Sequence, residues 1–216
     1  MNRQDEIEAL VLLGGAPRRS GSVAPLGTRP LEGGGVNPTE TLKHEHKIVL
    51  LVLTGAEREA RSIQAGGEVR VEEIEQMVDF FRNFVDRCHH SKEERHLFPA
   101  LNARGMPLES GPLAVMLHEH EQGRAAVRAV AGALARVKGG DAGAGAELVE
   151  ALLGYVELLR NHIFKEDNVL FPMADRLLPA PEQDNLAALF DKVEEEEMGA
   201  GVHERYHELA HRLGNA

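Results

Sequence analysis

Two stretches carry the residue types that do chemistry: His89-His90-Ser91-Lys92-Glu93-Glu94-Arg95-His96-Leu97-Phe98-Pro99 and His162-Ile163-Phe164-Lys165-Glu166-Asp167-Asn168-Val169-Leu170-Phe171-Pro172. Both read His-x-x-x-Glu, with Phe-Pro nine and ten residues after the histidine. On a helix, residues four apart lie one turn from each other on the same face, so each pair aims an imidazole nitrogen and a carboxylate oxygen at one point. Two such pairs could hold two metal ions.

Helical phase selects which histidines face inward. His89 lies on a stripe with Val78, Phe81 and Val85 before it and Glu93 and Leu97 after it, whereas His90 continues Asp79, Asn83 and Asp86. The expected ligands are therefore His89 and Glu93, with His90 and Glu94 facing solvent. His162 and Glu166 align with Leu158, Leu159, Val169 and Leu170. Two His-Glu-His triplets, at 44–46 and 118–120, supply further donors. His46 falls in line with Leu42, Val49, Leu50 and Leu53, and His120 with Leu113, Met116, Leu117 and Val127. His44 and His118 sit about 200° away around the helix and cannot share that face. Four inward histidines and two inward carboxylates without a partner would cost several kcal/mol, a penalty that a bound metal pair removes.

These donors need long helices to position them. Asn37 as N-cap and Pro38 at the first helical position open a helix that stops at Gly66-Gly67. A second runs from near Val71 to about Asn102, with Pro99 expected to kink or tighten its last turn. A third spans Pro112 to about Lys138, and a fourth about Ala146 to Leu178. Short connections between amphipathic helices favour antiparallel neighbours, so the expected fold is all-α, an up-down-up-down four-helix bundle over 38–178. The first and third helices share His-Glu-His and the second and fourth share His-x-x-x-Glu, at separations that agree to within one residue, so a helix pair is duplicated together with its ligands. Residues 1–37, rich in Gly, Pro, Ser and Arg, read as a flexible arm or one that covers the domain. Residues 182–213 read as a helical extension packing on the bundle and broken at Gly199-Ala200-Gly201.

Composition narrows the partners. Aromatic residues make up only 4% of the chain and Trp is absent, which suits helix-on-helix packing. The net charge of −11 is not offset by a basic cluster, which argues against nucleic acid or an anionic membrane. No apolar run reaches bilayer length, and the lone Cys88 suits a reducing cytoplasm.

The one-His, then His-x-x-x-Glu, repeated pattern resembles the hemerythrin-like family of HHE cation-binding domains over roughly residues 38–178. The resemblance implies a non-haem di-iron centre, oxo- or hydroxo-bridged, inside a four-helix bundle. By position, His46 and His89 would bind one iron and His120 and His162 the other, with Glu93 and Glu166 bridging. Imidazole with carboxylate suits iron, manganese or zinc on chemical grounds as well. Dioxygen, peroxide or nitric oxide are the ligands the resemblance implies.

Oxygen-carrying relatives carry His-x-x-x-His on the third helix, but here Arg124 follows His120 by four residues. Fewer nitrogen ligands favour turnover of peroxide or dioxygen, catalase- or peroxidase-like, over reversible carriage. Sensing or storage of oxygen or iron, and a structural zinc bundle, are the alternatives. Tyr155 and His96 lie two turns from His162 and His89, within reach of the metals or simply packed. The row His203, His207 and His211 offers either further metal ligands or a solvated face of a capping helix.

Overall fold

The computed structural model describes residues 37–199 and 201–215, so the N-terminal arm lies outside the described residues. Its secondary structure there is all helix. We number the helices α1 (Pro38–Gln64), α2 (71–103), α3 (Gly111–Lys138), α4 (144–177), α5 (Ala180–Glu197) and α6 (Val202–Asn215). The Asn37 side chain accepts the Thr39 N–H at 3.0 Å and Pro38 occupies the first turn, where a missing N–H costs nothing. Gly66, at φ +88°, takes the left-handed turn that lets the chain leave α1, and Gly199 and Gly201, both at positive φ, separate α5 from α6.

α1 packs on α4 and α6, and α3 packs on α4 and on the first half of α2. Two apolar clusters fill the interior. One gathers Val49, Val52, Phe80, Phe81, Val85, Leu159 and Ile163; the other gathers Leu42, Leu97, Phe98, Leu113, Met116, Leu170 and Phe171. The inward histidines lie along the same helices between the positions that feed these clusters.

Neither α2 nor α4 is a uniform α-helix. Residues Phe81–His90, Glu93–Leu97 and Glu166–Leu170 are wound as π-helix. Of the kink or tightened turn expected at Pro99, the tightening is corrected: the turn before each Phe-Pro opens instead. Phe98 N–H donates to the Glu93 carbonyl and Phe171 N–H to the Glu166 carbonyl, five residues back. A proline ring collides with the carbonyl four residues earlier and brings no N–H to it, so a wider turn is the local solution. Both widened turns begin at the glutamate of His-x-x-x-Glu.

α5 buries Leu186, Phe190 and Val193, and α6 buries Tyr206, Ala210 and Leu213. A Cβ on Gly55 of α1 would collide with the Leu213 carbonyl oxygen, so that glycine sets how closely α6 approaches. No described helix is long and apolar enough to cross a membrane.

Candidate metal centre

His46, His89, His120, His162, Glu93 and Glu166 are all buried, whereas His44 and His118 are exposed. Their donor atoms converge. His46 Nε2 lies 3.1 Å from His89 Nε2, and His120 Nε2 lies 3.2 Å from His162 Nε2. Glu166 spans the two pairs, with Oε2 at 3.2 Å from His46 Nε2 and Oε1 at 3.2 Å from His162 Nε2. Glu93 Oε2 sits between His89 Nε2 at 3.8 Å and His120 Nε2 at 3.5 Å.

Each of these imidazoles is oriented from behind. His89 Nδ1 donates to Glu45 at 2.7 Å and His162 Nδ1 to Glu119 at 2.9 Å. His46 Nδ1 donates to Asp167 at 2.8 Å and His120 Nδ1 to Glu94 at 2.6 Å. The repeat therefore extends outward: the middle glutamate of each His-Glu-His holds the histidine of the next helix, and the acid after each buried glutamate holds the histidine of the triplet. Lys92 and Lys165, each three residues after its histidine, pair with Glu45 and Glu119. Phe171 stacks on His46 at 5.5 Å between centroids and Phe98 on His120 at 5.8 Å, which gives the Phe of each Phe-Pro its task.

This arrangement fits cations. With Nδ1–H engaged, each Nε2 points inward, and the two of each pair face each other across little more than 3 Å, close enough to share one proton or one ion. At metal–nitrogen bonds of about 2.1 Å, two nitrogens at right angles on one ion are about 3.0 Å apart. All four oxygens of Glu93 and Glu166 are buried without a hydrogen-bond partner, which a native interior rarely tolerates. Histidines backed by carboxylates are the usual outer shell of a metal site.

The electrostatics agree. Burial raises the Glu93 carboxyl and the Glu166 charge raises it further, well above the usual carboxylate range. Glu166 is held below that range, against its own burial, by His162 and His46. Two carboxylates in one dry site cannot both stay ionised unless positive charge is supplied.

Three placements correct the helical reading: Glu94, expected in solvent, is half-buried and bonds His120; Val169, aligned with the inward His162, is exposed; and the third is His90. His90 is buried, not solvent-facing, and stacks on His120 with centroids 3.8 Å apart and planes 13° apart. The π-helical run Phe81–His90 explains it: residues there advance by less than 100° each, so a phase counted on α-helical geometry drifts until both residues of the doublet face inward. His90 has no counterpart in the second copy, where Ile163 stands at the equivalent position. Distance alone groups it with Glu93, His120 and His162. A ring nitrogen's lone pair lies in the ring plane, however, so an ion in the plane of His120 lies well out of the plane of His90.

Arg124 does not reach the centre. It binds Glu94 at 2.7 Å and Asp86 at 2.8 Å, and so steadies the carboxylate that orients His120. Tyr155 is buried beside Phe81, and His96 lies on a surface groove with Ala100 and Leu189. Of the C-terminal row, His203 and His207 pack near Phe84 and His211 is exposed. His203 comes within 3.9 Å of Glu45 and 3.7 Å of Glu194, but Lys92 already sits between those two carboxylates. Cys88 is buried, and burial pushes its thiol up to about 12, so it acts as a small apolar residue.

Comparison with known proteins agrees with this geometry. Uncharacterized proteins of Mycobacterium bovis and Mycobacterium tuberculosis are each 25% identical over 191 residues, covering 88% of this chain and 74% of theirs. The family model for the hemerythrin HHE cation-binding domain matches residues 37–174, which include all six converging side chains. The chain belongs to the hemerythrin HHE cation-binding domain family.

Proposed function

We propose that this protein is a di-iron protein that reacts with or binds dioxygen, peroxide or nitric oxide in the cytoplasm. In this reading His46 and His89 hold one ion, His120 and His162 the other, and Glu93 and Glu166 bridge them. The observation that carries it is the Glu166 carboxylate, whose two oxygens each lie 3.2 Å from a histidine of a different pair. Nitrogen and carboxylate donors with no thiolate favour iron or manganese, with zinc the remaining choice. Bound iron would supply Lewis acidity and one-electron redox change.

The protein's own residues supply the rest. Glu45, Glu119, Asp167 and Glu94 accept from Nδ1 of each histidine and so aim Nε2 inward; against burial, the acidic neighbours raise His46 and push His162 up to about 9, so a bound cation would displace a proton from these two rings. Burial pushes the His89 imidazole down to about 4, against the pull of Glu45, and keeps it neutral at physiological pH. Val49, Val85, Leu159 and Ile163 close over the imidazoles and exclude water. The catalase- or peroxidase-like alternative to simple binding rests on Arg124 standing where oxygen carriers have a histidine, which leaves one ion with a nitrogen fewer.

The test is metal analysis of protein purified without added metal, followed by optical spectra under dioxygen, peroxide and nitric oxide. Iron as the main metal, with a spectrum that responds to at least one of these, supports the reading. Zinc alone, with no spectral response, would make the bundle a structural zinc protein.

A further inference from the structure

A cavity of about 160 Å³ opens between α2 and α3 and is lined by Arg82, Asp86, His90, Gly123, Arg128 and Tyr155, among others. It has room for about five waters at ~30 Å³ each, and is well below the several hundred Å³ of sites for organic substrates. Its inner wall is His90, buried with neither ring nitrogen hydrogen-bonded. Nδ1 lies 3.5 Å from Asp86 Oδ1, which leaves Nε2 as the nitrogen available to the centre. At the rim, Arg82 and Arg128 are exposed and, among the described residues, form no ion pair, whereas Arg124 is held by Asp86, Glu94 and Glu121. In a chain of net charge −11, two free guanidinium groups at one opening set a local field for anions.

We infer that this cavity is the entry and docking subsite for a small monoanion of two or three heavy atoms, such as nitrite. Arg82 and Arg128 draw it in, and His90 forms the wall between the cavity and the metal pair. The stacking of His90 on His120 assigns it to the incoming ligand and not to the ion, and its repeat partner Ile163 offers nothing equivalent on the other side. Gly123 keeps the path open: a Cβ there meets only Tyr155 Cε2, at 3.9 Å, so larger side chains extend into the cavity. This inference rests on the metal reading above and adds the ligand class and its route.

The probe is azide, followed by stopped-flow absorption on the purified metal-loaded protein, with metal content measured on every sample. Arg82→Gln with Arg128→Gln should slow azide association roughly 10-fold at low salt and flatten its salt dependence. Gly123→Leu should slow association at all salt concentrations, with Gly123→Ala in between. His90→Phe, which keeps the stack, should leave metal content unchanged. A parent with no metal overturns the metal reading and this inference with it. A metal-loaded parent that binds no azide, or variants that all bind it as the parent does, overturns the inference alone. So does loss of an ion from His90→Phe, which would make His90 a ligand.

Discussion

Glu45 Oε2 accepts the His89 Nδ1 hydrogen at 2.7 Å while its other oxygen pairs with the fully buried Lys92, so one carboxylate orients an inward histidine and anchors a buried cation. Glu119 repeats both contacts with His162 and Lys165, but nearer the surface. Glu45→Gln should weaken metal affinity by about 10- to 100-fold, and Glu119→Gln should do so by less, because water can substitute at the more exposed site. Competition with a chelator checks both.

The same pair sets an acid limb for the metal-free protein. Against the desolvation of its burial, His89 and Lys92 hold Glu45 down to about 2. A depressed carboxylate contributes stability that is present above its unfolded value near 4.5 and is lost as pH falls toward 2. The difference corresponds to about 3 kcal/mol. Chemical denaturation of metal-free protein should therefore show a steeper fall between pH 4.5 and 2 for the parent than for Glu45→Gln. Parallel curves would contradict this.

Much of this outer shell was legible in the sequence as repetition before its purpose was. The His-Glu-His triplets, the His-x-x-x-Glu pairs and the two Phe-Pro steps mark the bundle and the six converging side chains, because burial and helical phase constrain them. His90 was not legible, since a ten-residue π-helical run changes the phase that sequence periodicity assumes. The roles of Glu45, Glu119, Asp167 and Glu94 were visible only as repeated neighbours, because a side chain that bonds across helices leaves no periodic trace along its own.

Phe98 and Phe171 are fully buried and each lies against a converging histidine. Phe171→Ala should cost about 3–5 kcal/mol of stability, and Phe98→Ala a similar amount. Thermal unfolding with metal bound and removed would show whether the loss also lowers metal retention, as the stacking predicts.

Gly55→Val places branched carbon against the backbone of Leu213. The expected cost is about 1–3 kcal/mol, with α6 displaced from α1. Hydrogen exchange should show lost protection in Val202–Asn215 while α3 and α4 keep theirs.

The proposed pair of cations among His46, His89, His120 and His162, with Glu93 and Glu166 between them, stands or falls on metal stoichiometry of the parent beside Glu166→Ala. Two ions per chain are expected in the parent and at most one in the variant. Two ions at full occupancy in Glu166→Ala, or none in the parent, would contradict it.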